Sequence, residues 1–237
     1  MRLPALVVLT GTGLLFTAGC FGAPFADDQL SAVLTRMDET SATFKGLTAD
    51  IKKIAHTEVI NADQIDTGTF TVKRVGRGKE LQMLLDLKEP DAKKILVTGT
   101  KAQEYILKNP TEVQEYDLGR KFRGMFDQFL LLGFGSNSAE LRSAYTVKLG
   151  QPATDMVAGE KTTKILLVPK SEEMRQHIKQ CELWISDARG ITVQQKFYTG
   201  GGDYHLVTYT NIAINPKIGD LTLNLPHGVK TVKPLKD

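Results

Sequence analysis

The chain has 237 residues, of which 41% are hydrophobic and 24% charged, a composition typical of a globular protein that excludes a disordered or membrane-spanning one. Its 30 basic and 27 acidic residues leave a formal net charge of only +3, and no run of five like charges occurs, which argues against a nucleic-acid partner. With two cysteines, stability has to come from a hydrophobic core and not from a disulfide framework.

The first segment has the pattern of a secretory leader. A single basic residue, Arg2, precedes an apolar run over 3–16, which is shorter than the roughly 20 residues that a membrane-spanning helix needs. The next residues, Thr17-Ala18-Gly19-Cys20, resemble a bacterial lipobox, in which the cysteine becomes the lipidated first residue. A threonine stands here where the lipobox usually has leucine.

Two modes of cleavage therefore stay open. Lipoprotein-type processing gives a signal peptide over 1–19, a single mature domain over 20–237 and a lipid anchor at Cys20. Ordinary cleavage near 18–26 leaves no lipid. In both cases we expect export to the periplasm, and lipidation of Cys20 would tether the protein to a membrane. Only Cys181 would then remain as a thiol, so that no intramolecular disulfide could form.

An amphipathic helix is predicted over 27–41, where apolar residues recur at helical spacing behind two aspartates. From Phe44 onward the period changes to two, which is typical of strands. Turn residues interrupt this pattern too often to leave room for crossover helices, so we predict antiparallel hairpins. The alternating apolar residues that we place on one face are Phe70, Val72, Leu81, Met83, Leu85, Ile95 and Val97.

Helical spacing returns in the middle of the chain. It predicts a helix that is apolar nearly all round and carries Phe122, Met125, Phe126, Phe129 and Leu130. A second short helix is predicted over 138–144, with Ser138 as its N-cap and Leu141 facing inward. Gly133 and Gly135 lie between the two helices, where we expect them to permit the movement of a lid.

Strands resume in the second half of the chain. Period-two patterns predict them over 164–168, 182–186, 191–198, 204–214 and 221–225. The total is about ten or eleven strands, and a sheet of that size usually curls. The predicted fold is therefore mainly β (α+β), an unclosed antiparallel β half-barrel of about 11 strands with helices covering its concave apolar face.

The sequence offers little catalytic or metal-binding chemistry. The four histidines are scattered, and the pair His177 and Cys181 would need a continuous helix, which the strand pattern after Cys181 contradicts. No Gly-x-Ser-x-Gly motif occurs, and Gly133-Phe134-Gly135 lacks the basic residue of a phosphate loop. We therefore predict no metal, no cofactor and no enzymatic activity.

Arg74 is the charged residue whose position needs an explanation. Alternation places it on the face of Phe70 and Val72, where a charge is costly unless it has a partner. Alternatively, it lies at the end of its strand and reaches solvent. The periodicity leaves both interpretations open.

Several short motifs, in order along the chain, resemble the LolA family. They are Gly68-Thr69-Phe70-Thr71-Val72-Lys73-Arg74, Ile95-Leu96-Val97-Thr98-Gly99 followed by Asn109-Pro110, Ile165-Leu166-Leu167-Val168-Pro169-Lys170, the strands over 191–209, and Leu225-Pro226-His227-Gly228-Val229. Their order and spacing carry the resemblance more than any one motif does. It extends from the first helix to the end of the chain.

The resemblance to LolA and LolB implies an unclosed antiparallel barrel lidded by helices, in agreement with the fold predicted from periodicity. It implies a protein that binds acyl chains of lipoproteins in an apolar cavity and passes them toward the outer membrane, as a free shuttle or a tethered receiver. An inner-membrane donor complex and an outer-membrane acceptor would be its partners, and it would act as a monomer. Arg74 would match the arginine that hydrogen-bonds the lid and holds it closed.

A carrier needs only apolar surface, because each methylene that leaves water contributes about 0.8 kcal/mol. Two alternatives stay open: a carrier of another lipid or a glycolipid on the same scaffold, and a structural envelope lipoprotein whose sheet has a filled core. The expected acyl-chain cavity is lined by Phe70, Val72, Leu81, Met83, Leu85, Ile95, Val97, Phe122, Met125, Phe126, Phe129 and Leu130.

Overall fold

The computed structural model of the protein describes residues 24–76, 80–88, 90–117 and 132–233. The predicted leader and the lipidation site at Cys20 lie outside these ranges. So does the predicted apolar helix with its five cavity residues, Phe122, Met125, Phe126, Phe129 and Leu130.

The described ranges contain three α-helices, one 3₁₀ turn and twelve strands. The helices are α1 (Pro24–Thr43), α2 (Ser138–Ala144) and α3 (Glu172–His177), and the 3₁₀ turn is Glu58–Ile60. The strands are β1 (Gly46–Thr57), β2 (Ala62–Arg74), β3 (Leu81–Leu87), β4 (Lys93–Thr98), β5 (Lys101–Ile106), β6 (Glu112–Asp117), β7 (Tyr145–Val157), β8 (Glu160–Pro169), β9 (Gln180–Ser186), β10 (Thr192–Gly200), β11 (Asp203–Ile214) and β12 (Lys230–Val232).

All twelve described strands belong to one sheet, in the order β12-β6-β5-β4-β3-β2-β1-β11-β10-β9-β8-β7. Strands β1 to β6 form one run of hairpins and β7 to β11 another, and the two runs meet where β1 pairs with β11. Neighbouring strands are antiparallel except β12 and β6, which are parallel. The sheet is open, since β7 and β12 are its two ends. The prediction of an unclosed, mainly antiparallel half-barrel is confirmed.

Helix α1 covers one half of the sheet, on the face that we call the inner face. Its residues Val33, Leu34 and Met37 are buried in a cluster with side chains of β8, β9 and β10, among them Ile165 and Leu183. The predicted amphipathic helix is confirmed, and it begins earlier, with Pro24, because proline is compatible with the first turn of a helix. Among the described residues, no helix is long and apolar enough to cross a membrane.

The segment 132–137 covers part of the other half of the inner face. Its Phe134 is fully buried and lies 5.7 Å from the Phe70 ring and 4.8 Å from the Tyr209 ring, measured between ring centroids. Gln195 Nε2 and Thr192 Oγ1 both donate hydrogen bonds to the carbonyl of Leu132. The segment is therefore fixed to the sheet by both apolar packing and buried hydrogen bonds.

The two glycines of this segment are sites of close approach in this structure, and the lid movement that we expect them to permit stays a prediction. Both have positive φ, and a Cβ on Gly133 would lie 1.4 Å from Thr192 Oγ1. A Cβ on Gly135 would lie 2.7 Å from the Phe44 ring. Ser41 Oγ also donates to the Gly135 carbonyl at 2.8 Å. Only glycine allows the backbone to lie this close to its neighbours in this conformation.

Helix α2 has the predicted boundaries but a different cap. Asn137 precedes it and accepts a hydrogen bond from the Glu140 amide at 2.8 Å, while the Glu140 carboxylate accepts one from the Asn137 amide. Ser138, predicted to be the cap, donates instead to Asp38 of α1 through its amide and its hydroxyl. Leu141 is buried, as predicted. The short helix thus links the 132–137 segment to α1.

The strand predicted over 221–225 is not formed. Leu221 and Leu223 are buried, but this segment pairs with no strand and crosses the outer face of the sheet, where Leu223 packs with Tyr105 and Val113. Lys73 Nζ donates to the Gly219 carbonyl at 2.8 Å and holds the segment at its start. The alternation that predicted a strand reflects an extended chain lying on top of the sheet.

Among the described elements, β7, α3, β12 and the 3₁₀ turn were not predicted from the sequence. Tyr145, Val147 and Leu149 of β7 alternate, but Gly150-Gln151-Pro152 and a register shift between Leu149 and Thr154 interrupt the pattern after them. Proline is tolerated there because β7 is an edge strand and needs no amide partner on its outer side. Helix α3 has only six residues, too few to show a helical period.

Gly133→Ala should destabilise the protein more than Gly201→Ala, by about 2 kcal/mol in the free energy of unfolding. Both glycines have positive φ, but a Cβ on Gly201 would meet nothing within 4 Å. Because both variants place alanine at a positive φ, the difference between their stabilities reports the steric clash with Thr192 and not the backbone strain. Urea denaturation of both variants measures the difference, and equal losses would contradict tight docking of the segment.

Candidate functional site

An apolar cavity of about 240 Å³ lies on the inner face of the sheet. Strands β1, β2, β3, β4, β10 and β11 supply its wall. Among the described lining residues, Lys53 and Gln195 are the two without an apolar or aromatic side chain. The lining residues are Ile51, Lys53, Phe70, Met83, Leu85, Ile95, Gln195, Phe197, Val207 and Tyr209.

Four of the residues predicted to line an acyl-chain cavity do line this one: Phe70, Met83, Leu85 and Ile95. Val72 and Val97 are almost fully buried in the packed cluster beside it, and Leu81 packs against the same cluster. These three residues pack against the residues that line the cavity and do not line it themselves. The other five predicted residues lie outside the described ranges, and the binding of acyl chains by this wall stays a prediction.

The sequence reasoning missed the side of the cavity formed by β1, β10 and β11. Ile51 and Lys53 alternate along β1, as Val207 and Tyr209 do along β11. This period-two pattern was the available signal. Alternation shows which residues share a face of one strand, but it does not show that β1 and β11, far apart in sequence, lie side by side.

A wider groove of about 690 Å³ adjoins the cavity. The cavity and the groove share Lys53, Phe197 and Val207 as lining residues. The end of α3 and the residues after it form the opposite wall. The remaining groove residues are Gln176, His177, Ile178, Thr199 and His205. The apolar cavity is therefore continuous with a more polar groove toward the end of β10 and the start of β11.

The polar groups deep in the cavity are paired with one another. Tyr209 Oη donates to Gln195 Oε1 at 3.0 Å, and Gln195 Nε2 donates to the Leu132 carbonyl. Burial raises the pKa of the Tyr209 hydroxyl well above its ordinary value, so it stays neutral. Since these groups satisfy each other, the inner end of the cavity presents apolar surface to a ligand.

The junction of cavity and groove carries three ionisable groups. Lys53 Nζ lies 3.9 Å from the Asp66 carboxylate, which is 3% exposed. His205 lines the groove, and its Nδ1 is buried without a hydrogen-bond partner among the described residues. Burial, followed by the charge of Lys53, lowers the pKa of His205. The junction therefore holds one charge pair and an imidazole that favours its neutral form.

Arg74 lies at the end of β2 and against the 132–137 segment. A Cβ on Gly135 would be 3.1 Å from the Arg74 Nη2 atom. The Arg74 Nε is buried and has no hydrogen-bond partner within the described part of the chain. The side chain is thus partly buried, and its Nε has no acceptor among the described residues. It stands where a latch to the covering segment would have to stand, and the latch stays a prediction.

His56 forms a second polar cluster at the end of β1. Its Nδ1 lies 2.7 Å from Asp63 Oδ1 and its Nε2 lies 3.1 Å from Glu58 Oε2. The hydrogen bond with Asp63, followed by that with Glu58, raises the pKa of His56. Its ring stacks on Tyr204 at 4.7 Å between centroids. The cluster joins the β1–β2 turn to β11.

The described residues contain no group of three or more histidines, cysteines or acidic residues that could hold a metal ion. His177 ends α3, whereas Cys181 lies in β9, so the two do not share a helix. Burial raises the pKa of the Cys181 thiol far above its ordinary value. A buried, protonated thiol is a poor nucleophile.

Comparisons with known proteins find distant similarity in structure. The chain resembles a DUF1329 family protein from Desulfovibrio piger (12% identity, 82% of this chain and 95% of that chain, TM-score 0.47). It also resembles MucB, with 14% identity over 84% of this chain and 62% of that chain and a TM-score of 0.48. The chain therefore spans less than two thirds of MucB. A third similar structure is that of a LolA superfamily protein from Nitrosomonas europaea, with 12% identity over 81% of this chain and 94% of that chain and a TM-score of 0.36.

No family model matches the sequence, and no curated protein matches it. Likenesses this distant carry no argument about ligands. A function for this chain therefore rests on the geometry of its own cavity.

Asp63→Asn should lower the pKa of His56 toward its ordinary value of 6.5, because the mutation removes the strongest stabilisation of the imidazolium. Since the folded pKa is raised, the stability that His56 contributes is present at low pH and is lost as the pH rises through that pKa. An NMR titration of the His56 ring measures the shift. His205 is the internal control, and its pKa should remain below the ordinary value. An unchanged His56 pKa would contradict the assignment.

Proposed function

We propose that the protein is an exported envelope carrier or receiver that binds acyl chains of lipoproteins in its apolar cavity and passes them toward the outer membrane. The observation that carries this proposal is the apolar cavity that the described residues leave on the inner face of the sheet. A structural protein of this size would be expected to pack that face fully, because unfilled volume lowers stability. Here apolar side chains surround the cavity, and an adjoining groove leads away from it.

The volumes suit one flexible chain with a polar end. Small-molecule sites usually have about 300 to 1,000 Å³, and the cavity of about 240 Å³ reaches this range only together with the groove of about 690 Å³. Each methylene buried in the cavity contributes about 0.8 kcal/mol. Met83 adds an adaptable, polarizable surface for chains that differ in shape.

The alternative functions differ in cargo or in the need for a cavity. A carrier of another lipid or a glycolipid would use the same apolar wall, so mass spectrometry of lipid extracted from the purified protein distinguishes it from a lipoprotein carrier. A structural envelope lipoprotein would bind no acyl chain at all. The cavity favours a carrier over this last function.

The place of the protein in transport depends on Cys20. Lipidation there would make it a tethered receiver, and its absence would leave a free periplasmic shuttle between an inner-membrane donor and an outer-membrane acceptor. The intact mass of the mature protein separates the two, because each attached acyl chain adds its own mass to the N-terminal residue.

Leu85→Trp should weaken the binding of a fluorescent acyl probe at least about tenfold. Leu85 lines the cavity, and a larger ring there would exclude about two methylenes, each worth about 0.8 kcal/mol. Asp86→Trp is the matched control, since Asp86 is the next residue on the opposite face and its side chain is 39% exposed. Probe titration measures both, and equal affinity in the two folded variants would place acyl binding elsewhere.

Arg74→Leu should slow the release of a bound acyl cargo about tenfold. If Arg74 latches the covering segment, its loss removes charge-assisted hydrogen bonds that favour the empty, closed form and adds apolar surface to the open one. Lys73→Leu is the control, because Lys73 is the adjacent cation and binds the outer face. Transfer to acceptor vesicles measures release. Equal release rates from wild type and Arg74→Leu would show that Arg74 is no latch.

A further inference from the structure

We infer that Lys53 forms the head-group site of the cavity and selects acyl lipids that carry a carboxylate or phosphate next to the chain. The inference rests on the proposed carrier function and favours an anionic lipid over a lipoprotein as its cargo, because the acyl chains of a lipoprotein are joined through ester and amide bonds and carry no carboxylate or phosphate beside the chain. Lys53 lines both the apolar cavity and the polar groove. A chain that fills the cavity therefore has its first polar atoms beside Lys53, where the two spaces meet.

The ammonium of Lys53 has hydrogen-bond donors to offer. Its side chain is 32% exposed, and its Nζ lies 3.9 Å from Asp66 Oδ2, which is too far for a hydrogen bond. Within the described ranges no other side chain or carbonyl accepts a hydrogen bond from it. An ammonium has three donors and no acceptor. An oxygen-bearing head group at the junction would therefore supply acceptors that the described protein groups do not.

Asp66 stabilises the Lys53 ammonium beside the apolar cavity without accepting a hydrogen bond from it. Asp66 lies directly opposite Lys53 in the pairing of β1 with β2, and its carboxylate also receives a hydrogen bond from Gln64 Nε2 at 3.5 Å. A buried carboxylate nearby lowers the cost of placing a cation beside an apolar cavity. It also repels an incoming anion, so Asp66 should limit the affinity for anionic lipids and its removal should raise it.

The groove supplies a second polar group close to Lys53. His205 pairs in register with Ala55, two residues from Lys53 and on the same face of the sheet. Its Nδ1 is buried without an acceptor or donor partner in the described chain. A neutral imidazole carries one N–H group, so His205 has a donor to offer to an oxygen in the groove. Lys53 and His205 are then two donors on the side of the junction that faces away from the apolar end.

The apolar end of the cavity determines that the ligand is an amphiphile. Among the described lining residues other than Lys53, Gln195 is the one with a polar, non-aromatic side chain. Its amide is already hydrogen-bonded to Tyr209 and to the Leu132 carbonyl. A charged head would remain unpaired if it entered deeper, which is strongly unfavourable. The chain is thus directed inward and the anionic head outward, toward Lys53.

The test compares two probes with the same chain, palmitate and hexadecanol, on the full mature protein. Lys53→Met should weaken palmitate binding about tenfold, as expected for a charge-assisted hydrogen bond, and leave hexadecanol binding within about twofold. Lys53→Arg should retain most of the preference for palmitate. Asp66→Asn should strengthen palmitate binding severalfold. Lys52→Met is the control, since Lys52 is exposed on the opposite face of β1, and it should change neither affinity.

Each other outcome has a definite meaning. If Lys53→Met lowered the affinity for palmitate and for hexadecanol equally, the head-group site would be overturned. The same holds if Lys52→Met lowered the affinity for palmitate as much as Lys53→Met does. Displacement of palmitate by excess acetate would show a site for a free carboxylate and would overturn selection of an acyl lipid. Binding of hexadecanol by wild type without preference for palmitate would overturn the head-group site alone. Failure of wild type to bind either probe would refute the proposed function itself.

Discussion

The pairing of β1 with β11 is the interaction on which the rest of the structure depends. It joins the hairpins of β1 to β6 to those of β7 to β11, from Leu47 opposite Ile214 to His56 opposite Tyr204. The cavity lies across this seam, with Ile51 on one strand and Tyr209 on the other. Neither half of the chain carries the whole wall. The cavity therefore forms only when both halves of the sheet have folded and paired.

The inner face of the sheet has a closely packed side and a side that contains the cavity. On the side of β8 to β10, α1 packs closely and contributes Val33, Leu34 and Met37 to the core. On the other side the 132–137 segment inserts Phe134 but leaves space between β3 and β11 unfilled. The cluster around α1 and the outer-face contacts of Leu223 form cores that are separate from the cavity, and they stabilise the fold without it.

Local patterns predicted the elements that depend on neighbours in sequence. The hairpins from β2 to β6, the span of α2 and four cavity residues followed from alternation and turn residues, because sheet faces have period two. What depends on distant contacts did not follow. The β1–β11 seam, the close docking of Gly133 on Thr192 and the charge pair of Lys53 with Asp66 arise from tertiary structure. The stretch 221–225 was misassigned because burial alternates in any extended chain that lies on an apolar surface.

The two ends of the open sheet have a consequence for self-association. An exposed edge strand can template pairing with another molecule, which leads to polymers. At one end, β12 covers β6 with three residues. At the other, β7 contains Pro152 and a shift of register, which interrupt the row of amides that a second chain would need. Both edges of the sheet are thereby protected against pairing with a second molecule and against fibre formation.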